Sequence, residues 1–338
     1  MIWLAAQEKL PASNNDIVAF QLVHIIRWYF QTVYGRVEGP NSLPFYLNPE
    51  LVGAFAVSKV DLALGEDSAT FRLFVLLAMF QARRDVVIMQ QQRSLEPKTV
   101  NMLSDLSFFQ QSVAQHPCAA MGSAKTWDLG CNVFKAGKVA DCLRHPGSLC
   151  HVKDATTAFN RMGDMGKLPT SAYLHFWKDG GIRNLLAEIT DNEASPNRRA
   201  DLLVLKLSKS YRIGRKLATM FVSALSVPDL AEGYTPWFPE FDGSELVVVD
   251  TNVARAVKKL QETDTSQTYE ASTSWVHTLA ELIDLRQFHP NVPEFSPRLV
   301  QQALYAFCSK SNRLAQHDPC SKLRGDCSAC AQVLCPIA

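Results

Sequence analysis

Residues 201–226 have the pattern of two helices joined by a connector too short for anything but a tight hairpin. Apolar residues recur at helical spacing on both sides of residues 210–214. Five cations lie within eleven positions at this hairpin: Lys206, Lys209, Arg212, Arg215 and Lys216. A helix that begins at Gly214 would direct its unpaired backbone N–H groups toward an anion, and the cations would hold that anion. The stretch predicts a phosphate-binding hairpin, with an ordinary helical hairpin and a solvated cationic face as the alternative.

A carboxylate follows the hairpin in a position suited to chemistry. The apolar run 247–249 ends at Asp250, and a helical pattern begins directly after it. Asp250 and Lys216 therefore both lie at the ends of elements close to a predicted phosphate-binding turn. Such a pair favours a reaction on nucleic acid.

Composition limits the classes of function. The net charge of the 338-residue chain is only +1, so local clusters of charge must carry any binding of nucleic acid. No apolar run is long enough to cross a membrane, and the apolar start of the chain is too short for an export signal. The nine cysteines are then expected to be thiols or metal ligands in a reducing compartment. These features predict a cytoplasmic protein, associated with the nucleoid if the source is bacterial, with no membrane partner.

Two groups of cysteines differ in their spacing. Near the C-terminus, four cysteines with gaps of six, two and four residues can close around an iron–sulfur cluster or a zinc ion: Cys320, Cys327, Cys330 and Cys335. Within residues 109–169 the gaps are irregular and no Cys-x-x-Cys pair occurs, which favours buried or surface thiols over a second metal site. That second group consists of Cys118, Cys131, Cys142 and Cys150.

The segments IGRKLA and VVVDTNVARAV resemble the hairpin and catalytic-aspartate segments of the endonuclease III-like helix-hairpin-helix DNA glycosylases. The resemblance places the family's Schiff-base lysine on Lys216 and its essential aspartate on Asp250. The family's hairpin is usually Leu-Pro-Gly-Val-Gly, so Arg212 stands where the first glycine is usual. The resemblance implies that the hairpin binds DNA through Lys209, Arg212, Gly214 and Arg215.

An earlier stretch adds a second point of resemblance. The long apolar helical pattern after Gly65 is interrupted at Gln81, where the family has a glutamine that enters the duplex when the target base is flipped out. Taken alone, Gln81 indicates a plain polar residue at a helix end. Its position ahead of the hairpin favours the role of a DNA wedge.

The family ends with four cysteines that hold a [4Fe–4S] cluster, and its final gap is one residue longer than the gap here. The resemblance therefore implies a cluster, not zinc, on Cys320, Cys327, Cys330 and Cys335. It implies an all-α fold of two helical domains with the active-site cleft between them. Residues 66–245 would form a helical barrel with insertions at about 109–169 and 226–245. Residues 1–65 and 246–338 would form the iron–sulfur domain. From its own residues, the insertion 226–245 predicts a small β-ribbon.

The function implied is a monomeric DNA glycosylase that excises a damaged or modified base, by default a pyrimidine, from duplex DNA. Lys216 would add Schiff-base lyase activity at the resulting abasic site. The related adenine glycosylases have a catalytic glutamate where this chain has Leu77, which argues against adenine as the substrate. Two alternatives remain open. One is a monofunctional enzyme that removes a bulky hypermodified viral base in defence, and the other is a non-catalytic iron–sulfur protein that binds DNA.

Overall fold

The structure is a computed structural model. It describes residues 14–36, 42–81, 83–115, 118–137, 139–144, 146–147, 150–158, 166–261 and 267–309.

The described residues are mostly helical, as the all-α prediction requires. None of their helices is long and apolar enough to cross a membrane. Short 3-10 turns and one π-helical turn, Tyr173–Trp177, join some of the helices. The helices and strands are α1 (Asn14–Thr32), α2 (Pro49–Val52), α3 (Lys59–Ala63), α4 (Asp67–Ala78), α5 (Asp85–Arg93), α6 (Pro97–Ser104), α7 (Leu106–Gln115), α8 (Ala124–Gly130), β1 (Val133–Ala136), β2 (Val139–Cys142), α9 (His151–Ala158), α10 (Lys167–Ala172), α11 (Gly181–Asn192), α12 (Pro196–Leu207), α13 (Arg215–Ser226), α14 (Pro228–Ala231), α15 (Thr251–Leu260), α16 (Tyr269–Glu281) and α17 (Pro297–Cys308).

The chain divides into two compact units. Unit 1 combines Met1–Gly39 with Ser244–Ala338, and unit 2 is Pro40–Gly243. The second boundary lies close to the expected one at 245. The first lies earlier than the expected 65, so residues 42–65 belong with the unit that contains the hairpin.

Hydrogen bonds explain the assignment of residues 42–65 to unit 2. Tyr46 Oη donates to the carbonyl oxygen of Ala224 at 3.3 Å, and Arg93 Nη1 donates to that of Glu50, also at 3.3 Å. Gly53 passes so close to α5 that a Cβ atom on it would lie 2.9 Å from the Cα atom of Arg93. Composition and periodicity do not reveal such long-range contacts, and the boundary was therefore placed too late.

Helix α4 is the central helix of unit 2. From Ala69 to its end nearly every side chain is buried, because α3, α6, α7, α11 and α13 pack around it. The ring of Phe74 lies 5.0 Å from that of Phe221 on α13 and 5.3 Å from that of Trp177, measured between centroids. Buried aromatic side chains of this size each contribute about 1.5–3 kcal/mol by burial alone. This core anchors α13 against α4 and so fixes the start of α13, where Lys216 lies.

The second insertion contains no ribbon, and that prediction is wrong. Residues 232–243 form consecutive turns after α14. Their backbone N–H groups bond to the ends of α12 and α13: those of Trp237, Asp242 and Gly243 donate to the carbonyls of Leu225, Pro196 and Ser226. Trp237 is buried against Phe221, with ring centroids 5.4 Å apart. The aromatic residues that suggested strands therefore close the far end of the helical hairpin.

The only ribbon among the described residues lies in the first insertion. Strands β1 and β2 are antiparallel, and Val133 pairs with Cys142 at one end of the ladder. Gly137 turns the chain between them with a φ of +63°, a conformation that glycine adopts without steric cost. The sequence VFKAGKVADC carries this signal, since β-branched residues flank a glycine turn.

Unit 1 is organised around α17. This helix is buried on almost every face, and α1, α15 and α16 each pack against it. The indole of Trp28 meets the ring of Phe307 edge-on at 5.4 Å, while Phe30 stacks on Phe288 at 6.3 Å. Helix α1 thus joins the C-terminal helices, and α15 begins at a position that this core fixes.

Candidate DNA-binding and catalytic residues

The connector between α12 and α13 bends sharply through Arg212. Its φ is +57°, the one positive value of any described residue other than glycine. The turn is closed by the N–H of Ile213, which donates to the carbonyl of Ser210 at 3.0 Å, and the buried side chain of Ile213 anchors it. Arg212 therefore adopts the conformation that a glycine at this position would adopt freely. The left-handed conformation costs a side-chain-bearing residue roughly 1–2 kcal/mol.

We expect Arg212→Gly to be more stable than Arg212→Ala by about 1 kcal/mol, because both variants lose the same side-chain contacts but only alanine keeps the backbone strain. The corresponding difference in melting temperature is about 2–4 °C for a unit of this size. Thermal unfolding of both proteins measures it. The pair Lys209→Gly and Lys209→Ala is the control, since the φ of Lys209 is not positive. We expect Lys209→Ala to be more stable than Lys209→Gly. If Arg212→Ala were likewise more stable than Arg212→Gly, the left-handed turn would be contradicted.

The five cations of the hairpin are not equivalent. Lys206 Nζ lies 2.6 Å from Glu188 Oε1, and Arg215 Nη2 lies 3.2 Å from Asp201 Oδ1. These two charges are largely balanced by carboxylates. Lys209 and Arg212 are exposed at the connector, together with Gly214, the N-cap of α13. The exposed positive charge is therefore concentrated at the turn and at the first N–H groups of α13.

Lys216 is the second residue of α13 and its side chain is half-buried. Its Nζ atom lies 3.5 Å from the carbonyl oxygen of Phe80, at the outer limit of a hydrogen bond. Phe80 belongs to the short connection between α4 and α5, next to Gln81. The structure thus brings Lys216 and the Gln81 connection together within unit 2.

Gln81 lies just beyond α4, where the sequence predicted an interruption. Its Nε2 atom donates to the carbonyl oxygen of Ala78 at 2.7 Å, so the side chain caps the end of α4. Asp85, four residues later, is the first residue of α5. Releasing the Gln81 side chain from Ala78 would cost about 0.5–1.5 kcal/mol.

A polar network that the sequence analysis missed supports the hairpin from the first insertion. The backbone N–H of Tyr211 donates to Ser171 Oγ at 3.0 Å, and this hydroxyl donates to Asp128 Oδ1 at 2.6 Å. The second carboxylate oxygen of Asp128 lies 2.9 Å from His175 Nε2. Lys167 Nζ lies 5.7 Å above the ring of Tyr211. Asp128 therefore holds Ser171 in place to accept a backbone donor of the hairpin. Nothing in local spacing identifies a contact across some forty residues.

Asp250 lies in unit 1 as the N-cap of α15. Its Oδ1 atom accepts the backbone N–H groups of Asn252 and Val253 at 2.9 and 2.8 Å, and its Oδ2 atom accepts Asn252 Nδ2 at 3.0 Å. The side chain is only partly buried. Three donors thus fix the orientation of a carboxylate that remains accessible.

The segment before Asp250 belongs to no helix or sheet. The N–H of Val248 donates to Gln301 Oε1 at 3.3 Å, and Tyr269 Oη donates to the carbonyl of Val247 at 2.6 Å. The buried Arg298 donates from Nη1 to Gln301 and Gln302 on the same helix. Polar side chains of α16 and α17 therefore replace a neighbouring strand. They hold the backbone that leads into Asp250, and the apolar run alone gave no sign of them.

Among the carboxyl groups of unit 2, that of Asp229 has a raised pKa close to neutral pH. Burial, with smaller repulsion from Asp242 and Glu232, raises the pKa of Asp229 to about 6. Asp229 follows the C-terminal end of α13, however, whereas Lys216 lies at its start. A helix of twelve residues separates them by about 18 Å. Asp229 therefore does not belong to the group of residues around Lys216.

The predicted cluster ligands Cys320, Cys327, Cys330 and Cys335 lie outside the described residues. Within the described ranges, no three or more His, Cys, Asp and Glu side chains are already arranged to hold a metal ion. The [4Fe–4S] cluster accordingly stays a prediction from the sequence.

Comparison of the chain with models of protein families, with curated proteins and with solved structures finds no match. The functional assignment therefore depends on the residues and their geometry.

Proposed function

We propose that this protein is a helix-hairpin-helix DNA glycosylase that binds duplex DNA as a monomer and excises a damaged or modified base. The observation that carries the proposal is the arrangement around Lys216. Its amine lies at the start of α13, behind an exposed basic turn, and reaches the connection that contains Gln81. A turn suited to phosphate binding, the proposed nucleophile and the proposed wedge would thereby act from one unit.

DNA binding would begin at the turn. Phosphate oxygens accept hydrogen bonds from the first N–H groups of α13, and the exposed side chains of Lys209 and Arg212 add positive charge. The left-handed turn at Arg212 supports this role, because it lets the chain reverse direction directly before Gly214. Contacts of this kind position the protein on the duplex without reading its sequence.

Gln81 would act after docking. An enzyme that works on a base must take it out of the stack, and a side chain must fill the space that it leaves. The bond from Gln81 to Ala78 joins the side chain to the end of α4, and its release costs little compared with the several kcal/mol involved in unpairing a base. Gln81 is therefore able to change partners when the base leaves the helix.

The chemistry would take place at the C1′ atom of the flipped nucleotide. The neutral amine of Lys216 forms a bond to C1′ as the bond to the base nitrogen breaks, and the departing base takes up a proton. The carboxylate of Asp250 stabilises the cationic character of the sugar or accepts the proton of the attacking amine. Opening of the sugar ring then gives the Schiff base from which strand cleavage proceeds. The predicted iron–sulfur cluster would hold the C-terminal segment and takes no part in these steps.

The test is base release from a panel of duplexes that carry oxidised, mismatched and hypermodified bases, with borohydride added to trap a covalent intermediate. Release with trapping supports a glycosylase with lyase activity, whereas release without trapping indicates a monofunctional enzyme. Normal DNA binding without release from any duplex would show that the protein is a DNA-binding module. The panel also identifies the base, and release confined to hypermodified bases would indicate a role in defence.

Lys209→Ala is expected to weaken duplex binding and to reduce the slope of log K against log salt concentration by about 0.9, the value for one phosphate contact. The reason is that Lys209 is an exposed cation of the turn. Titrations at several salt concentrations measure the slope. Lys98→Ala is the matched control, since Lys98 is an exposed lysine of the same unit on α6. An equal change in both variants, or none in either, would mean that the turn does not face DNA.

A further inference from the structure

The four cysteines of the first insertion lie at the ends of four neighbouring elements. Cys118 precedes the 3-10 turn Ala119–Gly122, Cys131 follows α8, Cys142 ends β2 and Cys150 precedes α9. All four are free thiols of intermediate exposure. Although the four cysteines are far apart in the sequence, each lies at the end of a helix, turn or strand.

Packing brings these ends to one side of the insertion. Helix α8 packs on the turn that follows Cys118, and a Cβ atom on Gly130 would lie 3.5 Å from both Ala120 Cβ and Arg144 Nη1. The ladder pairs Cys142 with Val133, two residues beyond Cys131. The residues next to Cys118, Cys131 and Cys142 therefore lie close to one another.

Helix α9 brings Cys150, the residue before it, close to the other three cysteines. This helix packs on both strands, and Lys153 Nζ lies 2.6 Å from Asp141 Oδ1, next to Cys142. The thiols are close enough for their charges to interact: that of Cys131 with those of Cys142 and Cys150, and that of Cys150 also with that of Cys118.

The surroundings of the sulfur atoms suit thiolates. The backbone N–H of Val133 donates to the sulfur of Cys131, and those of Val152 and Lys153 donate to the sulfur of Cys150. A neutral thiol is a weak acceptor, whereas a metal-bound thiolate is stabilised by donors of this kind.

The insertion has a small core, which includes Trp127 and Val152, but it leaves other apolar side chains outside. Several of its large apolar side chains are exposed, in particular Leu129, Val139 and Leu143 at 78%, 67% and 72%. A small unit that cannot bury enough apolar surface is commonly held by a metal ion or by disulfides. The four cysteines are free, which leaves them available as metal ligands.

We propose that Cys118, Cys131, Cys142 and Cys150 bind one structural Zn²⁺ ion. Four thiolates are a common tetrahedral ligand set for structural zinc, and binding releases the thiol protons to solvent. The sulfur atoms do not yet surround a single point at bonding distance in the described structure. Binding therefore requires the four side chains to converge on one point. The proposal does not depend on base excision.

The first test is the metal content of the full-length protein, grown with added zinc and purified without chelators. The wild type is expected to contain about one zinc ion per chain. Cys131→Ser and Cys150→Ser are expected to lose it, whereas Cys308→Ala, which alters a buried cysteine of unit 1, retains it. Zinc that is absent from the wild type, or retained by Cys131→Ser, overturns the proposal. If the metal that Cys131→Ser loses is iron and not zinc, the proposal is also overturned.

The second test uses only the wild type, so it does not depend on the folding of a variant. The protein is alkylated with and without a zinc chelator, and the modified peptides are identified by mass spectrometry. The four insertion cysteines are expected to be protected together and to become reactive together when zinc is removed. Equal rates of alkylation in both conditions, or a disulfide between any two of the four, would contradict zinc binding.

Discussion

Asp250→Asn is expected to lower the rate of base release by roughly 10³-fold while leaving duplex binding nearly unchanged. The carboxylate acts mainly in the transition state, where positive charge develops on the sugar, and loss of such an electrostatic contact costs about 10²–10³ in rate. We expect this substitution to leave the fold unchanged. Asp250 caps α15 through Oδ1, and asparagine is as good an N-cap as aspartate. Single-turnover base release on the true substrate measures the effect.

Asp284→Asn is the matched control, because Asp284 caps a helical turn of the same unit through the N–H of Arg286. It is expected to release the base at the wild-type rate. The melting temperature of both variants shows whether the caps survive. If the Asp250→Asn protein is folded and releases the base at the normal rate, the proposed mechanism is wrong.

Lys216→Gln is expected to abolish the adduct that borohydride traps between enzyme and DNA. Only an amine can form the Schiff base that borohydride reduces, and glutamine has none. Glutamine still offers an N–H donor on an extended stem, so the half-buried position near Phe80 is filled by a polar group. Gel separation of the trapped complex on the substrate found in the panel measures the loss.

Lys209→Gln provides the comparison, since it removes an exposed lysine from the same hairpin. We expect this variant to form the adduct once enough protein is added to saturate the DNA. An adduct in the Lys216→Gln protein would show that another amine is the nucleophile. Base release by Lys216→Gln at the wild-type rate would restrict Lys216 to a phosphate contact.

The sequence predicted the helical class and the helical hairpin because both depend on local periodicity, and the structure confirms them. It also predicted the interruption at Gln81 and the helix after Asp250. The first unit boundary lies earlier in the structure than the sequence indicated, because it depends on contacts such as that between Tyr46 and Ala224, far apart in the chain.

The ribbon was assigned to the wrong insertion for a related reason. In residues 226–245 aromatic residues and an Asp-Gly pair resemble strands around a turn, yet Trp237 and Phe241 are required as core residues behind α13. Tertiary packing overrides such a local signal. The supporting residues of the candidate site, Ser171 and Gln301 among them, likewise have no local pattern, because each serves a partner elsewhere in the chain.

The network from Tyr211 to Asp128 has a consequence for the modularity of this protein. Insertions in a fold are often treated as appendages that can be trimmed without affecting the parent scaffold. Here a backbone donor of the hairpin is satisfied by Ser171, whose orientation depends on a carboxylate supplied from within the insertion. The hairpin is thus linked to residues 109–169, and a change accepted in one constrains what the other can lose.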